Sequence, residues 1–317
     1  MPRHAPVNAL ESPRFSGIRT FSRLPHTRDL DGVDVAVFGI PFDTATTYRT
    51  GARFGPGSVR EMSAMLRTYN PSLDVNVYDV LSVVDYGDLP TVPGYIEDTY
   101  ARVVEALAPI LAAGVVPVGI GGDHSVTLAE LRALAAARGP VGFLQFDSHA
   151  DTWDSYFGRR YNHGTPFRRA VEEGLIDTRR AIQVGMRGSL YGPEDLDQSR
   201  ELGFELWTSD DVRREGLAAV LAAIRRRLGD GPVFLTFDID FVDPSFAPGT
   251  GTPEVGGFTS REAQDLLRGL VGVDFAGMDL VEVLPAHDPA GITALIGANV
   301  IFEFLSVLAL ERRGRGG

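Results

Sequence analysis

The chain has 317 residues, 44% of them hydrophobic, and a net charge of −12, so it can bury a large core while lacking the basic surface that nucleic acid or acidic membranes attract. It contains no cysteine, and all 30 of its basic residues are arginine, which excludes disulfides, thiolate metal sites, thiol nucleophiles, P-loop lysines and Schiff-base lysines. The polar start Met1-Pro2-Arg3-His4 has no apolar signal-like run behind it, and no apolar run looks long enough to span a bilayer, so a soluble, cytoplasmic protein is expected.

Residues 1–32 read as an irregular N-terminal arm and residues 33–317 as one domain. In chain order the pattern predicts strand Val33–Ile40, helix Pro56–Arg67, strand Val80–Val84, helix Ile96–Ala113, strand Val115–Ile120, helix Thr127–Ala137, strands Val141–Phe146, Ala181–Val184 and Phe204–Trp207, helix Asp211–Leu228, strand Val233–Phe237, helix Ser260–Leu270, strand Ala276–Val281 and helix Asn299–Leu310. A short basic tail, Glu311 to Gly317, follows. The strands are short and apolar on both faces, as buried parallel strands are. Their alternation with helices predicts an α/β fold with a doubly wound sheet.

In such sheets function gathers beyond the carboxyl ends of the strands, and there the chemistry-bearing residues lie. Gly121-Gly122-Asp123-His124-Ser125 follows one strand and Asp147-Ser148-His149-Ala150-Asp151 the next. Asp238-Ile239-Asp240-Phe241-Val242-Asp243-Pro244 follows a third, and Glu282 ends the last. Alternate residues on an extended segment point the same way, so Asp147, His149 and Asp151 can converge, as can Asp238 and Asp240. Four aspartates and two histidines exceed the needs of one metal and suit a binuclear site. Carboxylate and imidazole without thiolate suit Mn²⁺, Fe, Co or Ni better than structural zinc. Such a centre, with Glu282 beside it, favours a cationic substrate. Gly-Gly-Asp alone is a weak signal, being a common turn, and a strand-end glutamate is commonly solvated, while Asp-x-His-x-Asp is more specific; it is their joint occurrence that points to a site. His4, His26 and His287 fall outside these elements and are expected to be structural, as is Asp123.

The segments GGDHS, FDSHADTWD, NHGTPFRRA and FDIDFVDPSFAPGTGTPEVGG closely resemble those of the ureohydrolases, the family of arginases, agmatinases, guanidinobutyrases and proclavaminate amidinohydrolases. The resemblance runs from about Val33 to about Leu310, and Tyr48-Arg49-Thr50-Gly51-Ala52-Arg53-Phe54-Gly55-Pro56 is typical of the agmatinase-like branch. It implies a three-layer α/β/α arginase-like fold with a mostly parallel eight-stranded sheet, two Mn²⁺ per chain, and a homo-oligomer, trimer or hexamer. By motif, His124 and Asp151 would hold one ion, His149 and Asp240 the other, with Asp147 and Asp238 bridging. His163 matches the histidine that lines the cleft and shuttles protons, and Glu282 the carboxylate that holds the guanidinium. The expected catalytic residues are therefore Asp151, which orients the attacking water, His163 and Glu282. A guanidinium is a poor electrophile, so a water of lowered pKa at two metals suits its hydrolysis.

Within the family, arginine is disfavoured as substrate: where arginases carry asparagine after the metal motif and Ser-Gly-Asn before the histidine, this chain has Trp153 and Arg160-Tyr161-Asn162. A small cationic substrate, agmatine, is the first expectation, yielding putrescine and urea. The alternative is 4-guanidinobutyrate or a related guanidino acid, whose carboxylate could pair with Arg159 and Arg160. Two further readings are a deacetylase-like amidohydrolase on the same fold and a non-catalytic guanidino-binding paralogue. Metal stoichiometry and urea release separate these from the first.

Overall fold

The computed structural model describes residues 2–315 of the chain. Eight strands make one sheet: β1 (Val35–Ile40), β2 (Val83–Asp88), β3 (Val116–Gly121), β4 (Val141–Phe146), β5 (Ile176–Met186), β6 (Glu205–Thr208), β7 (Val233–Asp238) and β8 (Phe275–Val281). Their order is β2-β1-β3-β8-β7-β4-β5-β6, and each pairing between them is parallel. The two-residue side-chain period of a strand sorts the apolar residues onto both faces. In β1, Val35 and Val37 enter one core while Ala36, Phe38 and Ile40 enter the other.

Among the described residues, nine helices flank the sheet: α1 (Gly55–Ser63), α2 (Ile96–Ala112), α3 (Thr127–Arg138), α4 (Pro166–Glu172), α5 (Glu194–Glu201), α6 (Ser209–Glu215), α7 (Leu217–Leu228), α8 (Ser260–Arg268) and α9 (Ile292–Arg315). Val59 of α1, Ile224 of α7, Leu266 of α8 and Leu305 of α9 belong to the first core. Val103 of α2, Leu131 of α3 and Phe167 of α4 belong to the second. The result is a three-layer α/β/α architecture.

Several boundaries differ from expectation. The run from Asp211 to Leu228 is two helices, broken at Gly216, whose φ of +89° suits glycine and few other residues. Val77–Val80 is a helical turn, so β2 starts at Val83. The N-terminal arm is ordered in part, with Phe21 and Leu24 buried in the first core. The expectation that no run could span a bilayer does not hold for α9, because that helix extends well beyond Asn299–Leu310 at both ends. Ile292–Gly314 is long and apolar enough, with a mean hydropathy of 2.0 over an 18-residue stretch, yet 78% of that stretch is buried inside the fold, which accounts for its apolarity. The tail from Glu311 to Arg315 continues α9, while Gly316 and Gly317 lie outside the described residues.

Candidate metal centre and active site

The strand order explains why distant segments meet. The chain leaves β3 through α3 for β4, and the gap between those strands is filled later by β7 and β8. The carboxyl ends of β3, β8, β7 and β4 are therefore neighbours, at the kind of topological switch where α/β sheets bind ligands. His124 and Glu282, 158 residues apart in sequence, share a hydrogen bond of 3.0 Å from the His124 amide to Glu282 Oε1.

Around His124 Nδ1 lie Asp147 Oδ2 and Asp151 Oδ2, both at 3.0 Å, and Asp238 Oδ2 at 3.3 Å. His149 Nδ1 lies 3.0 Å from Asp240 Oδ2 and 3.7 Å from Asp147 Oδ1. Two compact groups result, His124–Asp147–Asp151 and Asp147–His149–Asp240, in each of which the donor atoms lie within 4.8 Å of one another. Asp147 belongs to both and turns one oxygen toward each. Backbone amides fix these carboxylates: His149 donates to Asp147 Oδ1 at 2.7 Å, Ser148 to Asp240 Oδ1 at 3.0 Å and Asp240 to Asp238 Oδ1 at 2.8 Å.

What is left over speaks for a cation. His124 Nδ1 and Asp240 Oδ2 are buried and make no well-formed hydrogen bond. A buried polar atom without a partner costs roughly 1–3 kcal/mol, and more if charged. Without a cation the carboxylates also repel one another. Burial, then Asp240 and Asp151, pushes the Asp147 carboxyl up to about 7. Burial, then Asp240 and Asp147, raises Asp238 well above the usual carboxylate range. Oxygen and imidazole donors of this kind, crowded together in a buried site, fit divalent metal ions of the Mn²⁺ type.

Beside this cluster, Glu282 is 1% exposed, so it is not the solvated carboxylate that its strand-end position alone would suggest. Its Oε1 accepts from His124 and from His163 Nδ1 at 3.0 Å, and its Oε2 has no partner. His163 Nε2 accepts from the Thr47 amide at 3.1 Å and lies 2.8 Å from Thr47 Oγ1. An amide can only donate, so the ring in this geometry is the neutral Nδ1–H tautomer. Burial opposes a charge on His163, but Glu282, Asp151 and Asp123 outweigh it and hold its pKa above the ordinary value. Asp151 and Glu282 also adopt φ of +53° and +63°. Left-handed backbone at two non-glycine residues stores strain of order 1–3 kcal/mol each, and no spacing pattern in the sequence marks it.

A cleft opens onto the cluster, lined by Thr47, His149, Asp151, Trp153, His163, Leu190, Asp195 and Leu196, among others. The sequence pattern did not single out Asp195, although Pro193 followed by Glu194, Asp195 and Asp197 is a helix-start signal that places it at the head of α5. It is buried and accepts from Trp153 Nε1 at 3.2 Å and from the Tyr191 amide at 2.8 Å. Trp153 stacks on Tyr156 with ring centroids 4.9 Å apart. Arg159 and Arg160, expected to border this cleft, do not line it; Arg160 pairs with Glu172 at 2.8 Å, and both arginines border a separate groove with Tyr95. Asp123 is structural, as expected: it accepts from Ala45 and Ser125 at 3.0 Å, and burial, then Glu282, raises it to about 7. His287 is exposed, and His26 lies against β2.

A three-layer α/β/α fold with paired acid–histidine clusters at its central strand ends defines a metallohydrolase class, and comparison with known proteins names the family. The chain matches the arginase family over residues 33–306 and belongs to it. It is 48% identical to a guanidinopropionase of Pseudomonas aeruginosa, over 96% of each chain. It is 43% identical to a guanidinobutyrase of the same organism, over 96% of this chain and 97% of that one. A mitochondrial agmatinase of Gallus gallus is also 43% identical, over 96% of this chain and 90% of that one. The solved proclavaminate amidinohydrolase of Streptomyces clavuligerus superposes with a TM-score of 0.91 at 40% identity, covering 95% of this chain and all of that one (100%). The protein is thus a hydrolase of guanidino compounds in a family whose members depend on metal.

Proposed function

We propose that the protein hydrolyses a short guanidino acid to urea and an amino acid with two Mn²⁺ ions per chain. The observation that carries the metal reading is the sharing of Asp147 between two donor groups, together with the unpartnered His124 Nδ1 and Asp240 Oδ2. In this reading His124 and Asp151 would help to hold one ion and His149 and Asp240 the other, with Asp147 and Asp238 completing the donor set. Bound there, the ions would supply Lewis acidity and a water of lowered pKa.

The chain's own groups do the rest. Glu282 Oε2, buried and without a donor, accepts a guanidinium N–H and fixes the plane of the substrate through a charge-assisted contact. Asp151, facing the cleft, accepts a hydrogen of the attacking water and aims its lone pair at the guanidinium carbon. As the carbon–nitrogen bond breaks, the leaving amine takes up the proton that Asp151 received from the water, with His163, whose Nδ1–H is bonded to Glu282 Oε1, beside it as a proton relay. Urea and the amine then leave through the cleft.

The choice of a guanidino acid rests on the 48% and 43% identities to a guanidinopropionase and a guanidinobutyrase. This order reverses the expectation from net charge. The hydroxyls of Tyr156 and Tyr191, 2.8 Å apart beside Trp153, offer uncharged donors to a tail carboxylate. A second reading, agmatine, is supported by Asp195 in the cleft wall and by the absence of an arginine from the cleft lining among the described residues. The test is kcat/KM, by urea release with Mn²⁺, for 3-guanidinopropionate, 4-guanidinobutyrate and agmatine. The two kinds of tail set opposite charges against one wall, a difference of about 1–3 kcal/mol, or roughly 5- to 150-fold. Preference for agmatine by such a factor overturns the guanidino-acid reading and installs the second.

A further inference from the structure

Two irregular segments reach the cleft, one bringing Trp153 and the other Leu190. Neither belongs to a helix or to the sheet: the first runs between β4 and α4, the second between β5 and α5. A wall of this kind has no ladder of its own, so its shape depends on the side chains that tie it to the scaffold. Asp195, in the first turn of α5, stands where the two segments meet.

Asp195 is 8% exposed, and each of its oxygens serves a different segment. Oδ1 accepts from Trp153 Nε1 at 3.2 Å and Oδ2 from the Tyr191 amide at 2.8 Å. An indole N–H can only donate, so this bond fixes which way the ring faces. At the exposed end the same two segments meet again. Trp153 stacks on Tyr156, with the planes 9° apart, and Tyr156 and Tyr191 share a hydrogen bond of 2.8 Å between their hydroxyls. Asp195 is the buried end of this closed ring of contacts.

The indole in turn bears on the segment that carries His163. The Trp153 amide donates to Gly164 O at 3.1 Å, and a Cβ at Gly164 would lie 2.9 Å from Trp153 Cε3. The ring therefore rests directly on the residue after His163, and a ring that turned would leave that backbone without its support. Asp195 also lines the cleft, where its charge could face an amine tail. Both oxygens, however, already point at donors of the chain, so an amine would have to compete with Trp153 or Tyr191 for them.

We propose that Asp195 is a positioning residue: its carboxylate ties the Trp153 and Tyr191 segments into one wall and holds the indole in place for guanidino substrates of either tail charge. It acts through Trp153 and is not the counter-charge of the substrate tail. The kinetic consequence rests on the guanidino-hydrolase reading of the site. Asparagine cannot replace the acid, because one end of an amide is a donor and would set N–H against N–H at one of the two bonds. Loosening a wall that shapes the cleft weakens binding more than it slows the chemical step, so the loss should appear in KM.

The test has a spectroscopic arm and a kinetic one, both on the full chain. The chain has two tryptophans, and Trp207 lies on β6, so Trp207→Phe leaves Trp153 as the single fluorophore. In that background Asp195→Asn and Asp195→Ala should raise the acrylamide quenching of Trp153 by about two-fold or more, with no metal or substrate present. By urea release with Mn²⁺, the same variants should raise KM about ten-fold for 3-guanidinopropionate, 4-guanidinobutyrate and agmatine alike, with kcat within about two-fold. Trp153→Phe keeps a ring but loses the N–H; it should raise KM likewise, add little to Asp195→Ala in the double variant, and decide the matter if the Asp195 variants do not fold. A variant that is merely destabilised would lower kcat through its folded fraction and leave KM unmoved. Unchanged quenching, a KM effect confined to agmatine, or additive losses in the double variant overturns the proposal. Wild-type protein that releases urea from no guanidino compound overturns the functional reading instead, and the quenching arm still decides whether Asp195 holds the wall.

Discussion

Asp147 differs from its neighbours in one respect: each of its oxygens faces a different histidine. Removing its charge should disturb both halves of the cluster, whereas a change at His124 reaches chiefly one. Asp147→Asn is therefore expected to lower uptake of both Mn²⁺ ions, and His124→Ala of mainly one, as measured by elemental analysis after dialysis. A fully loaded wild type with a single ion would sink the two-metal mechanism. Glu282 sits apart from the donor groups, and its free oxygen faces no cation of the chain. Glu282→Gln should keep the metal content while kcat/KM falls by about 10²-fold, the scale of a lost charge-assisted hydrogen bond; near-wild-type turnover returns Glu282 to a structural role. Asp147 was legible because its spacing with His149 and Asp151 on an extended segment carries meaning, whereas His124 and Glu282 were read from their strand ends and from the family resemblance. Thr47 and Asp195 were not, since each acquires its place only from a partner far away in the chain.

At the scale of elements, the loop after β3 tolerates no side chain at its second glycine. A Cβ on Gly122 would lie 1.7 Å from the carbonyl oxygen of Phe42 and 2.9 Å from that of Ile40. These are backbone atoms at the end of β1 and cannot swing aside. Gly122→Ala should push the His124 turn away from Glu282, whose amide bonds to Gly122 O at 2.9 Å. We expect impaired folding or, in what does fold, Mn²⁺ affinity at least about ten-fold lower; an alanine variant with wild-type Tm and metal uptake contradicts this. Read alone, Gly-Gly-Asp is a commonplace turn, and only the approach of a second strand end shows why glycine is required. The strand cores and capped helices were readable for local reasons: Val233–Phe237 is apolar but for Thr236, and α8 starts at a capping box in which Thr259 and Glu262 bond each other's amides. The irregular segments that bring Trp153 and Leu190 to the cleft were not, because irregular backbone has no periodicity to read.

Across the whole molecule, metal and protons should compete for one set of groups, and the sign of that competition follows from the pKa shifts. In the metal-free protein Asp147 is raised from 3.8 to about 7, and Asp238 is raised well above its ordinary value. Burial works against charge on His124 and His149, but the carboxylates around them outweigh it and hold both well above 6.5. For all four, the folded chain binds a proton that the unfolded chain has released. Their contribution to stability is thus present at low pH, below the unfolded values, and is lost as pH rises through the folded ones. Asp240 runs the other way: burial would raise it, but His149 and Arg187 pull it below its ordinary value, so its contribution is lost only in acid below 3.8. Between about pH 5.5 and 8.5 the first group decides, and the metal-free Tm should fall. Mn²⁺ replaces the lost protons and binds deprotonated ligands, so the rise in Tm that it produces should be small at about pH 5.5 and grow steadily toward about pH 8.5. Differential scanning fluorimetry with chelator and with excess Mn²⁺, across that window, measures both quantities. The increment is the sharper of the two, because general repulsion in a chain of net charge −12 also lowers the metal-free Tm as pH rises but does not depend on the ligands. A Mn²⁺ increment that stays constant with pH would mean that the ion binds elsewhere than on these protonated groups.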